Sequence, residues 1–183
     1  DRFVKDTLIP TVNDWKLDNK SNFLRLGLNS MQQYRIKFIL GKITAYVDAL
    51  RLGKTTVDDL TSYTQTAVEI EHIMPQTCAD KELYGMNDED FSVYINRLGN
   101  LTLLENSINK SIHNDVYANK SKAYKQSKFY LTSSLSELVN QGHDTAINRT
   151  NSLLFAWSDW NKRSIEERQE MLYRLSEMIW EMS

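Results

Sequence analysis

A glutamate and a histidine stand next to each other at positions 71 and 72, and a proline follows three residues after the histidine. The imidazole of His72 has an unperturbed pKa near ~6.5, so at neutral pH it can take a proton from water. The carboxylate of Glu71 is a hard oxygen ligand of the kind that Mg²⁺ and Mn²⁺ prefer. The pair therefore predicts a site that activates water beside a divalent cation.

Two asparagines, nine residues apart, form the second candidate segment. Asn100 stands in a turn before the apolar run 101–104, and Asn109 lies in the first turn of the helix predicted after that run. An amide offers donors and an acceptor together, so Asn100 can pin a loop and Asn109 can give a carbonyl oxygen to a metal. His113 would share the helical face of Asn109 if the helix continues that far, and could then assist the metal or contact a phosphate. A plain surface histidine is the favoured interpretation of His113.

Two predicted strands must position these side chains. Residues 67–73 alternate apolar and polar side chains, as a half-buried strand does, and residues 101–104 form a short apolar strand. Neighbouring side chains on a strand point to opposite faces, so Glu71 and His72 reach one point only if the strand breaks there. Pro75 and the loop that follows it would permit such a break.

Two long helices frame the strands. The first runs from about residue 31 to residue 52, where apolar side chains recur at the spacing of a single buried stripe. The second closes the chain after a capping box made of Ser164 and Glu167. Shorter helices are predicted at residues 3–15, 88–95, 117–126 and 134–139. The chain is therefore expected to be a mainly helical α+β protein, with strand, long connection, strand and short helix at its centre.

The composition is that of an ordinary globular protein, since the 183 residues are 41 % hydrophobic and 25 % charged. The single cysteine, Cys78, excludes a disulfide within the chain and a CxxC zinc knuckle, and it fits a reducing cytoplasm. No apolar run approaches the ~18 residues that a membrane-spanning helix needs, so no membrane association is expected. The chain begins with Asp1 inside a helical pattern, which predicts a piece of a longer protein.

The net charge of −2 conceals a basic segment. Residues 97–128 carry six basic and two acidic side chains, a net charge of +4, whereas the rest of the chain carries −6. A run of lysines usually forms a solvated helix face. Because this run directly follows the candidate site, a row of contacts to phosphate groups is an equally good interpretation. The candidate contacts are Arg97, Lys110, Lys120, Lys122, Lys125 and Lys128.

Three parts of this pattern together resemble a known nuclease motif. Residues 71–75, residues 99–104 and Asn109 look like the ββα-metal (His-Me finger) motif of HNH nucleases. Residues 96–103 are similar to the C-terminal nuclease domain of GmrSD-type restriction enzymes, a group that includes SspE-like proteins. The same family pattern is matched by Tyr117, Lys120, Tyr124, Ser127, Arg168, Ile179 and Trp180. The resemblance covers roughly residues 67–182.

The resemblance implies a role for each matching residue. His72 would be the general base that activates water, and Asn100 would fix the loop that orients it. Glu71 and Asn109 would hold one divalent cation, with Mg²⁺ expected and Mn²⁺ as the alternative. Many HNH nucleases have a histidine where Asn109 stands, and asparagine is an accepted variant. Many also carry two CxxC pairs; these are missing here, so helices rather than a structural zinc are expected to brace the finger.

The resemblance also implies a biological setting. It predicts a helical segment at residues 1–66 that leads to a missing upstream domain, an HNH core at 67–128, and a C-terminal helical segment at 129–183. The activity would be metal-dependent cleavage or nicking of DNA in the cytoplasm of a prokaryote, as part of modification-dependent restriction or anti-phage defence. An upstream nucleotide-hydrolysing sensor domain would choose the target. The alternatives are a non-catalytic DNA-binding or interaction module that keeps the finger as a scaffold, and an RNase.

Overall fold

Helices make up about 53 % of the described residues, and two short strands lie in the middle of the sequence, as the mainly helical α+β prediction requires. The computed structural model describes residues 20–57, 59–78 and 80–180, so the helix predicted at 3–15 lies outside the described residues. The helices are α1 (Lys20–Phe23), α2 (Gln33–Arg51), α3 (Thr61–Thr64), α4 (Asp88–Tyr94), α5 (Asn106–Ile112), α6 (Tyr117–Tyr124), α7 (Tyr130–Ser133), α8 (Ala146–Asn151) and α9 (Lys162–Trp180). Among the helices of these residues, none combines the length and the apolar composition that a membrane crossing requires.

Strands β1 (Val68–His72) and β2 (Leu101–Glu105) form a two-stranded antiparallel sheet. Their register pairs Val68 with Glu105 at one end and His72 with Leu101 at the other. Residues 101–104 of β2 are all buried, because helices cover the faces of the sheet, and this explains why three of the four are leucine. The fourth, Thr102, shares a hydrogen bond between its hydroxyl and that of Thr132 at 2.7 Å. Helix α5 follows β2 without a linker, so the predicted strand, connection, strand and short helix are confirmed.

Helix α2 confirms the first long helix predicted from the periodicity. Its buried stripe includes Ile36, Leu40, Ile43 and Val47, each completely shielded from solvent. The helix ends where Gly53 adopts a left-handed conformation with φ of +70°, which only glycine tolerates at little cost. This glycine therefore ends the helix at the position that the sequence indicated.

Helix α9 confirms the second long helix, but its predicted capping box is wrong. The helix begins at Lys162, two residues before Ser164, so Ser164 already lies in the first turn. The cap is Asn161, whose side-chain oxygen accepts a hydrogen bond from the backbone N–H of Ser164 at 3.2 Å. Glu167 instead accepts hydrogen bonds from Arg163 and from the Trp157 indole.

Among the shorter helices, those predicted at 88–95 and 117–126 are confirmed by α4 and α6, whereas the one predicted at 134–139 is wrong. The backbone oxygen of Leu135 accepts from the N–H of Trp157 at 2.8 Å and from the Tyr117 hydroxyl at 3.1 Å. These tertiary bonds take the place of the bond that a helix would form to the amide four residues later.

Helix α9 also holds the turn that precedes β2. The backbone N–H of Gly99 donates to the side chain of Gln169, and Arg168 donates to the backbone oxygens of Gly99 at 2.9 Å and of Leu101 at 2.7 Å. Arg168 is completely buried, and these carbonyl groups are hydrogen-bond partners of its Nη1 atom. A Cβ on Gly99 would lie 2.3 Å from the backbone oxygen of Ile165. The turn therefore reaches the helix only because residue 99 has no side chain.

Replacing Gly99 with alanine is expected to lower the free energy of unfolding by about 3 kcal/mol, since backbone atoms on both sides must move apart. Denaturant unfolding of the purified protein measures this loss. Gly85→Ala is the control, because Gly85 has a φ of +68° but no atom within 4 Å of its added Cβ. Gly85→Ala should cost only about 1 kcal/mol. Equal losses for the two variants would contradict the close approach of α9.

Candidate active site

His72 is the last residue of β1, and the chain turns away immediately after it. Its ring is half-buried, and Nε2 lies 3.4 Å from the side-chain oxygen of Asn96 and 3.5 Å from the amide nitrogen of Gln76. The asparagine oxygen accepts from a protonated Nε2, whereas the Gln76 amide can donate only to an unprotonated one; the shorter contact, with Asn96, favours the tautomer that carries its proton on Nε2. Nδ1 then keeps its lone pair and is the nitrogen that can accept a proton from water.

The surroundings of His72 favour the neutral imidazole. Burial lowers its pKa below 6.5, and the positive charge of Lys120 acts in the same direction, whereas the hydrogen bond to Asn96 raises the pKa. A base must be unprotonated to work, so the lowered pKa keeps His72 in its active form at neutral pH.

An NMR titration of the metal-free protein is expected to show His72 titrating below pH 6.5, because burial penalises the imidazolium. His72→Ala assigns the resonance. Asn96→Ala should lower the midpoint further, since the hydrogen bond that raises this pKa is removed. A midpoint at or above 6.5 in the wild type would contradict the structure.

Glu71 points to the face of β1 opposite to His72 and is buried. Its Oε1 accepts a hydrogen bond from the Lys120 ammonium at 2.7 Å and another from the Tyr124 hydroxyl at 2.9 Å. The regular pairing of Glu71 with Thr102 and of His72 with Leu101 shows that β1 does not break between the two residues. The predicted break at this point is therefore wrong.

Lys120 is a buried structural cation, so its prediction as a DNA contact is corrected. The side chain is only 2 % exposed, and its ammonium donates to Glu71 and, at 2.7 Å, to the backbone oxygen of His72. A buried charge is tolerated when it is paired and hydrogen-bonded, and both conditions are met here. Lys120 thus contacts the two adjacent residues Glu71 and His72, which face opposite sides of the strand.

Asn100 is completely buried and ties three segments together. Its side-chain oxygen accepts from the backbone N–H of Met74 at 2.8 Å and from the Trp160 indole at 2.9 Å. Its amide nitrogen donates to the backbone oxygen of Ile95 at 2.9 Å. Asn100 therefore fixes the start of the segment that follows His72, which is what a loop-pinning role requires.

Asn109 lies on α5, and its amide nitrogen donates to Oε2 of Glu69 at 2.6 Å. Glu69 is two residues before Glu71 on β1, so both carboxylates lie on one face of the strand. The sequence reasoning missed Glu69, although its spacing of two from Glu71 was the available signal. The structure thus brings Asn109 to a carboxylate on the same strand face as Glu71.

The side chains described above lie on or next to β1, β2, α5 and α6, within a region that matches a family model. The model describes the C-terminal domain of GmrSD restriction endonucleases, and it matches residues 13–175. The chain belongs to this family. No curated protein and no solved structure matches it. As a member of this family, the chain is a nuclease domain of the type found in restriction endonucleases, and the family implies DNA as its substrate.

The remaining predicted contacts of this GmrSD C-terminal domain lie mostly at the surface. Lys110, Lys122 and Lys125 are exposed, and Lys125 forms an ion pair with Glu137 at 2.7 Å. Arg97 is half-buried, with its guanidinium stacked over the ring of Tyr94 at 4.0 Å.

His113 does not share a helical face with Asn109. Helix α5 ends at Ile112, and His113 follows with a φ of +48°, outside the helix. The condition on which its metal role depended is therefore not met, and its exposed ring agrees with the favoured interpretation of a plain surface histidine.

Oxygen atoms are the donors that Glu71, Glu69 and Asn109 could offer to a hard divalent cation. Within the described ranges, no group of three or more histidine, cysteine, aspartate or glutamate side chains could hold a metal ion. Glu71, Glu69 and Asn109 supply carboxylate and amide oxygens, and both hydrogen bonds to Glu71 fall on Oε1 rather than Oε2. A site with few protein oxygens suits Mg²⁺, which keeps several of its own waters.

Proposed function

We propose that this GmrSD C-terminal domain is a metal-dependent DNA endonuclease of the HNH (His-Me finger) type. The observation that carries the proposal is the placement of His72 at the end of β1, with Nε2 against Asn96 and Nδ1 outside that contact. The arrangement of two antiparallel strands followed by α5 gives further support, since it has the order of elements that a ββα finger requires.

In the proposed mechanism His72 accepts a proton from the water that attacks the scissile phosphorus. Asn100 keeps the segment after His72 in place, so the ring is held before the substrate arrives. Glu71 and Asn109 would hold one Mg²⁺ or Mn²⁺ ion on the face of β1 opposite to His72, so the phosphate would have to lie at the end of the strand to reach both the ion and the ring. When bound, such a cation supplies positive charge that stabilises the phosphate oxygens and the leaving 3′ oxygen.

The exposed basic side chains would hold the DNA backbone. Lys110, Lys122 and Lys125 face solvent, and stacking on Tyr94 keeps the guanidinium of Arg97 in a fixed orientation. His113 is a further candidate for a phosphate contact. A small set of phosphate contacts gives modest affinity that falls as salt rises, so target choice is assigned to an upstream nucleotide-hydrolysing sensor domain. The setting would be restriction of modified foreign DNA in a prokaryotic cytoplasm.

The test is incubation of supercoiled plasmid with the protein in Mg²⁺, in Mn²⁺ and in EDTA, beside labelled RNA. Nicked or linear plasmid with a metal, and intact plasmid in EDTA, are the expected results. Cleavage of RNA alone would replace the proposal with an RNase. Plasmid that is bound in a mobility-shift assay but stays intact in every metal would replace it with a non-catalytic DNA-binding module.

A further inference from the structure

The contact between Glu69 and Asn109 has no part in the mechanism above, yet it joins β1 to α5 at 2.6 Å. We propose that Glu69 is a positioning residue that fixes the side-chain amide of Asn109, so that its carbonyl oxygen is directed to the cation. This inference rests on the proposed function, because it concerns the same cation site.

The chemistry of the two groups explains why the contact selects one orientation. An amide can present its oxygen or its nitrogen after a rotation of half a turn, and the two ends have nearly the same shape. An ionised carboxylate only accepts hydrogen bonds, so Glu69 holds the nitrogen end of Asn109. The carbonyl oxygen is then left at the other end of the planar group, where it is free of Glu69.

The position of Glu69 makes this orientation useful for a cation. Alternation along β1 places Glu69 on the same face as Glu71, whose Oε1 is occupied by Lys120 and Tyr124. Asn109 reaches that face from α5. The oxygen that Asn109 presents and the second oxygen of Glu71 are thus offered on one side of the sheet.

A positively charged side chain lies close to Glu69. The ammonium of Lys37, on α2, interacts electrostatically with Glu69, which raises the pKa of Lys37, whereas burial lowers that pKa more strongly. Lys37 itself donates to the backbone oxygen of Gln65 at 2.9 Å, so it is held near the start of β1. Glu69 therefore has one cation close by and Asn109 as its hydrogen-bonded partner.

Titration of the 183-residue protein with Mn²⁺, followed by the EPR signal of the free ion, tests the inference without any cleavage assay. Glu69→Ala is expected to weaken Mn²⁺ binding about tenfold or more, the usual effect of losing a residue that orients a ligand. Glu69→Gln should recover much of the affinity, because its amide oxygen can still accept from Asn109. Glu82→Ala removes the same charge at an exposed position and should leave the affinity unchanged.

A double-mutant cycle separates orientation from direct ligation. In the Asn109→Ala background, Glu69→Ala should cause no further loss of Mn²⁺ affinity, since the group that it orients is already absent. A further tenfold loss would overturn the positioning role in favour of direct coordination. Equal affinity of wild type and Glu69→Ala would overturn the inference outright, while metal-dependent plasmid cleavage by the wild type would leave the proposed function standing.

One further measurement completes the test. Thermal unfolding without metal should give similar midpoints for Glu69→Ala and Glu82→Ala, which excludes general unfolding as the cause of weaker binding. A wild-type protein that binds no Mn²⁺ and cleaves no plasmid in any metal would overturn both the proposed function and this inference.

Discussion

Replacing His72 with alanine is expected to reduce plasmid cleavage by at least about 100-fold, because the group that accepts the proton from water is lost. The fold should persist, since the His72 ring is half-buried and its side-chain contacts, at 3.4 Å and 3.5 Å, are long. Initial rates of nicking in Mg²⁺, with circular dichroism spectra of both proteins, measure the two expectations.

His143→Ala is the matched control for this variant. His143 lies in the exposed loop of residues 141–144, so its removal should leave the rate of nicking unchanged. Equal rates for His72→Ala and the wild type, with both proteins folded, would rule out His72 as the base. The contact between Nε2 of His72 and the side-chain oxygen of Asn96 would then have only a structural role.

Regular periodicity allowed the elements around the site to be predicted from the sequence. Helix α2 follows from the recurrence of Ile36, Leu40, Ile43 and Val47, because these side chains align on one face at the helical spacing. The alternation along residues 67–73 predicted β1 for a similar reason. Such patterns report which face of an element is buried, and the hydrophobic effect makes that face the one that packs.

Contacts between distant residues explain what the sequence did not reveal. Lys120 was expected at the surface, yet it is paired with Glu71, which lies 49 residues earlier in the chain. One local signal was available, since Tyr117, Lys120 and Tyr124 have the spacing of one buried helical face. A lysine on such a face needs a carboxylate partner, and the sequence alone does not identify which carboxylate the fold brings there.

The closing helix is part of the same packed structure as the finger. One hydrophobic cluster includes Phe23, Leu101 and Leu172, so it joins all three predicted segments. The bonds from Arg168 and Gln169 to the turn at Gly99 add a polar connection. Asn100, which pins the segment after His72, follows this turn directly. Helix α9 therefore supports the candidate site through its hold on the turn.

The buried ion pair between Lys120 and Glu71 is expected to make a large contribution to the stability of the fold. Lys120→Met is expected to lower the free energy of unfolding by about 3–5 kcal/mol, because it leaves the buried carboxylate of Glu71 without its cation. Urea unfolding measures the loss. Lys122→Met is the control on the same helix, and it should change the stability by less than about 0.5 kcal/mol, since Lys122 is exposed.

The double variant Glu71→Gln/Lys120→Met distinguishes an uncompensated charge from a simple loss of packing. With Gln at position 71 no net charge remains buried, so the double variant should regain much of the stability that Lys120→Met loses. Tyr124 can still donate its hydroxyl proton to the amide oxygen of Gln. If the double variant is no more stable than Lys120→Met, the pair contributes through packing rather than charge.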